Sequence, residues 1–168
     1  MHQPQPFNLK RIIWGGPDAV LAFIATVLFT DQPEQKLKLK RLLWGWPLTV
    51  LTSVAAVLLI RLIAVTLLKP DAEFQPLTVA TPVFDTVMAV TLAVFVFVAT
   101  ARYSLDAVRA YRSLAAKVLL VSFVPDIALA ILHWFGGGWP EAIVLMAMHA
   151  AVWGICVSIL PLVTSNGT

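Results

Sequence analysis

Four long apolar stretches dominate this sequence and set what it can become. Leu42 to Leu68 is interrupted only by Arg61, and about Val79 to Ala101, Leu114 to Phe135 and Trp139 to Val163 come after it. Each meets the ~20 residues that carry a helix across a hydrocarbon layer of ~30 Å. That layer offers no water, so each stretch must close its own backbone hydrogen bonds as a helix. The remainder does not dilute the pattern: the 168 residues are 60% hydrophobic and 12% charged, with mean hydropathy +0.86. A soluble domain carries about twice that share of charge. One water-exposed core of this size could not hide so much apolar surface. A soluble enzyme, a nucleic-acid-binding domain and a disordered chain are thereby excluded. The chain reads as an all-α integral membrane protein with a four-helix bundle, residues 39–168, behind an N-terminal segment, residues 1–38.

That N-terminal segment is a partial copy of the start of the first span. Residues 9–17 read LKRIIWGGP and residues 39–47 read LKRLLWGWP; extended to Phe29 and Leu59, the offset of 30 keeps 11 of 21 positions identical. An apolar alphabet does not by chance repeat Lys, Arg, Trp, Gly and Pro in order, so the pattern is a duplication. Its clean apolar part, Ala19 to Phe29, is short for a span. The stretch 12–30 is expected to lie along the interface, to re-enter, or to cross as a fifth span. It lacks a small-residue cleavage site and so does not read as a signal peptide.

Charge sets the expected orientation. Lys36, Lys38, Lys40 and Arg41 precede the first span, and Arg102, Arg109, Arg112 and Lys117 lie between the second and third. The opposite loops hold Lys69, Asp71 and Glu73, and Glu141 alone. By the positive-inside rule the first span starts inside and the C-terminus ends inside. Trp14, Trp44 and Trp46 then fall at the inner boundary, Trp134 and Trp139 at the outer, where indoles prefer to sit. Pro82 and Pro140 sit at helix starts, where a missing N–H costs nothing. Gly136 to Gly138 make a tight outer turn that forces antiparallel third and fourth spans. Arg102 and Asp106 have i, i+4 spacing, which reads as a helical extension or short cytoplasmic helix.

Ionisable residues inside spans are the candidates for chemistry, because each is costly there. Arg61 lies ~11 Å below the outer end of its helix and Asp85 ~5 Å below the start of the next. They pair across a mouth, or Asp85 serves the first turn of its helix while Arg61 leans outward. Asp126 and His149 lie ~13 and ~14 Å deep on helices joined by the tight turn, so their depths match. Pro125 precedes Asp126 and frees the carbonyl of Val121 as an extra polar group. An Asp126–His149 pair can lock two helices, relay a proton or hold a polar ligand. His149 is also a candidate ligand for a haem or chlorophyll-type cofactor; His133, roughly 14 Å above it, cannot share its iron. His2 sits in a polar terminus and implies nothing. No nucleophile–base pattern, phosphate loop or zinc spacing is present, and Cys156 is the only cysteine. No catalytic residue or bound metal is therefore expected.

Small residues give an assembly signal. Ala150, Gly154 and Ser158 repeat every four residues on the fourth span, with a shorter Ala89–Ala93 stripe on the second. Such stripes admit close helix contact, either within the chain or with another subunit.

Arg102 after the second span, Ser122-x-x-Pro125 in the third and Met148-His149 in the fourth give a likeness over about Leu42 to Val163. There the chain resembles a family of small four-helix bacterial membrane proteins known only as a domain of unknown function. The resemblance implies a compact four-span unit in a bacterial cytoplasmic membrane and brings no activity with it. The duplicated N-terminal stretch lies outside that pattern and reads as a docking element.

These features make the expected function non-catalytic: an accessory or scaffolding subunit of a membrane complex or homo-oligomer, with the bilayer and other subunits as partners and no nucleic acid. The alternatives are a small transporter or proton conductor using Asp126 and His149, and a haem- or chlorophyll-binding subunit using His149.

Overall fold

A run of 20-odd apolar residues has one way to satisfy its backbone in lipid, and the chain takes it four times. The computed structural model describes residues 41–68, 75–104 and 106–164. They fall within one compact unit, Lys36–Thr168. The duplicated stretch at 12–30 and His2 lie outside the described residues. The helices are α1 Leu42–Leu68, α2 Ala80–Tyr103, α3 Ala107–Leu132 and α4 Trp139–Thr164. All four are long and apolar enough to cross a membrane. The protein is an all-α membrane-type bundle. Each helix packs on its two neighbours in the order α1, α2, α3, α4 and back to α1, with α2 touching α4 across the diagonal.

Local chemistry sets the helix ends. Ser104 is extended and closes α2 by donating its N–H to Thr100 O at 3.0 Å. Asp106 then caps α3, its carboxylate accepting the Arg109 N–H at 3.1 Å. Hence α3 starts well before Leu114, and Arg102 and Asp106 stand on separate elements; they are not four apart on one helix. The far turn ends α3 early. His133 and Phe135 take left-handed φ of 51° and 56°, and Gly136 comes next at 76°. Only the glycine adopts that region without a Cβ penalty. The Gly138 N–H donates to Glu141 Oε2 at 2.9 Å, the glutamate half of a capping box at the start of α4, with Pro140 in its first turn.

The interior is built from small and hydroxyl side chains. Gly45, Thr49, Ser53 and Val57 recur every four residues on the buried face of α1. A Cβ added to Gly45 would stand 2.8 Å from Val163 Cγ1, so α1 and α4 meet where only glycine fits. Buried hydroxyls turn back on their own helices: Thr49 donates to Gly45 O at 2.7 Å, Thr86 to Pro82 O at 2.6 Å and Thr164 to Leu160 O at 2.9 Å. A helix so arranged carries polar atoms into an apolar core without asking a neighbour for a partner. Phe97 and Tyr111 tie α2 to α3 edge-to-face, ring centres 5.0 Å apart.

The outside is the inverse of a soluble surface. Leu43, Leu51, Phe84, Leu92, Val124 and Ile131 all lie more than two-fifths exposed. Trp44 and Trp46 mark the Arg41 end of the bundle, and Trp134 and Trp139 the glycine-turn end.

The connection into α2 positions the polar residues. Gln75–Leu77 forms a single 3-10 turn that dips into the bundle, and Leu77, 3% exposed, packs with Val57, Leu129 and Met148. The Leu77 carbonyl accepts from Arg61 Nε at 2.7 Å, and Trp46 Nε1 donates to Thr91 Oγ1 at 3.2 Å. These two contacts fix the register of α1 against α2 and bring Asp85 level with Ser53, near the middle of α1.

Candidate polar site within the membrane span

The sequence places Asp85 near the outer boundary beside Arg61; the fold separates the two. Arg61 serves the carbonyl of Leu77, and among the described residues no ion pair joins it to Asp85. Nor does Asp85 stand in the first turn of α2, which holds no acidic residue. The cause is the connection at Gln75–Leu77, invisible to a count from the apolar boundary: with Leu77 buried and held by Arg61, the register sets Asp85 beside the middle of α1. There the carboxylate is exposed at the bundle surface. A charge at such a depth costs ~2.5–3.5 kcal/mol on insertion scales.

Asp126 and His149 come together. Asp126 on α3 is 5% exposed, and its Oδ2 lies 3.1 Å from His149 Nδ1 on α4. The same nitrogen lies 2.9 Å from Leu145 O. Both neighbours of Nδ1 are oxygens, so this nitrogen carries the hydrogen and points it at the carbonyl. Asp126 Oδ2 keeps its electrostatic contact and has no aligned donor. Nδ1 is thereby engaged, and Nε2 is the nitrogen left to accept a proton or a ligand. The His149 side chain is 43% exposed although Ala142 and Cys156, on the same side of α4, are buried. One carboxylate and one imidazole thus meet inside the span, while Asp85 stands on the exposed face of α2 and Arg61 serves Leu77.

What this arrangement can do chemically is limited and specific. A histidine whose Nδ1 faces a carboxylate and a backbone carbonyl is oriented as ligating histidines are, with Nε2 presented outward. That is the geometry a haem or chlorophyll ligand at His149 would require. His133 is held in the far turn, Nδ1 3.3 Å from Gly137 O, and takes no part. Among the described residues no three His, Cys, Asp or Glu side chains form a metal-ion cluster.

The small-residue stripe of α4 faces outward. Ala150 and Ser158 are exposed, and nothing lies within 4 Å of a Cβ added at Gly154. None of the described helices covers it. The stripe that does pack internally, Gly45–Thr49–Ser53–Val57, has the same four-residue spacing but is masked in the sequence by the bulky Trp44, Trp46 and Leu48 beside it. Ala89 is exposed and Ala93 half-buried. Ser53 Oγ, Tyr111 Oη and Trp153 Nε1 are buried without a hydrogen-bond partner, a feature no spacing in the sequence announces.

No protein-family model, curated protein or solved structure matches this chain.

A double-mutant cycle measures the pair. With Asp126→Asn, His149→Gln and the double variant unfolded reversibly in bicelles, a coupling of about 0.5–2 kcal/mol is expected, the range of polar contacts between membrane helices. Additive effects would mean that the 3.1 Å contact carries no energy.

Proposed function

We propose that the protein is a non-catalytic accessory or scaffolding subunit of a bacterial cytoplasmic membrane, its C-terminus inside, packing against other membrane subunits or its own copies. The observation that carries this reading is the outward stripe of α4: Ala150, Gly154 and Ser158 form a smooth face that the described helices leave uncovered. In lipid, apolar side chains gain little by leaving solvent, so helices associate where backbones approach closely, and glycine at the centre of a small-residue face permits that. The chain uses the same device internally at Gly45. A bundle with minimal loops leaves most of its perimeter for lipid or for neighbours.

The two glycines separate assembly from folding. Gly154→Leu is expected to weaken association, read as energy transfer between labelled copies in vesicles or as retention of co-purifying subunits, by at least about tenfold, or 1.4 kcal/mol. Its thermal midpoint should stay unchanged, because that Cβ meets open space. Gly45→Leu should lower stability by about 1–3 kcal/mol through overpacking against Val163. Unchanged association in Gly154→Leu contradicts the role.

A second reading, proton or solute movement, draws on the Asp126–His149 contact reached from the bundle's side. Purified protein in liposomes would then conduct protons, and Asp126→Asn would abolish the flux. No flux from the unmodified protein dismisses transport.

A further inference from the structure

We propose that the α2 face around Asp85 receives a partner transmembrane helix carrying one Lys or Arg at mid-depth. This rests on the assembly reading and specifies the chemistry of one partner. The first support is charge balance. Asp85 is a carboxylate on the exposed face of a span, and among the described residues no cation is paired with it. Arg61 on α1 gives its Nε to Leu77 O. The second is partnering: Asp126 already faces His149 at 3.1 Å, whereas Asp85 has no such partner among the described residues. The third is shape. Asp85 stands on an exposed helix surface with Phe84, Met88 and Leu92, all more than half exposed, and not in a concavity. The open groove between the glycine-turn ends of α1 and α4, lined by Ile60, Leu67, Pro140 and Ile143, contains none of the three polar residues. A small free cation is held by a concave site, whereas a flat apolar face with one charge fits another helix. An ammonium or guanidinium brought by that helix would answer a charge that lipid cannot.

The test uses the full chain reconstituted in vesicles of phosphatidylcholine and phosphatidylglycerol. The probes are labelled poly-leucine transmembrane peptides with Lys at the centre, Leu at the centre, or Lys two turns off centre. Energy transfer is expected to show the central-Lys peptide bound at least tenfold more tightly than the other two. Asp85→Asn should remove that preference, and Asp85→Glu should keep it. Equal binding of the three peptides, or a preference that survives Asp85→Asn, overturns the proposal. So does Asp85-dependent binding of tetraphenylphosphonium without preference among the peptides, which assigns the face to a free cation. Failure here with Gly154-dependent association intact leaves the assembly reading standing. Loss of that association with the Lys preference retained removes the role of the α4 stripe and keeps the Asp85 face as a docking surface.

Discussion

The hydrogen bond from Arg61 to the carbonyl of Leu77 organises the polar interior of this bundle. It holds the segment before α2 inside the helical layer, where Leu77 joins Val57, Leu129 and Met148. A backbone carbonyl leaving helical geometry at that level needs a donor, because hydrocarbon supplies none. A guanidinium whose stem lies along apolar neighbours is the side chain that can reach it. With that contact made, the register sets Asp85 beside the middle of α1. The depth of the acidic site is therefore a consequence of how one connection is stapled.

The same economy governs the other polar atoms. Threonine hydroxyls return to the preceding turn of their own helix, and the Gly138 N–H finds Glu141. Asp126 and His149 answer each other in part. Some polar atoms stay unanswered inside, as at Ser53 Oγ, Tyr111 Oη and Trp153 Nε1, while a carboxylate on α2 and a smooth stripe on α4 are left at the surface of the bundle. The two stripes differ only in their orientation. Gly45 is closed over by Val163, while Gly154 faces open space.

Much of this architecture is legible in the sequence. Three of the four apolar runs match their helices to within a few residues, since length and polarity in lipid leave no other backbone solution; α3 starts seven residues ahead of its run, at Ala107. The matched depths of Asp126 and His149 come from counting along two helices joined by a glycine turn. Three things are not legible. Asp106 looks like the i+4 partner of Arg102 until Ser104 breaks the helix between them. Asp85 looks shallow when depth is counted from the apolar boundary, and no local pattern reveals that Gln75–Leu77 turns inward. The α4 stripe states that something packs closely; which side of the bundle it faces depends on how four helices share their interfaces, a tertiary property.

The claim at the centre is that the surface around Asp85 lies at hydrocarbon depth. A spin label at Ala89→Cys, one turn along the same exposed face, in a Cys156→Ala background reconstituted in bilayers, reports this directly. The account predicts strong collision with oxygen and near-exclusion of a water-soluble nickel chelate. Ready relaxation by the nickel chelate, with oxygen collision at the level of bulk water, would place this face in an aqueous phase and contradict it.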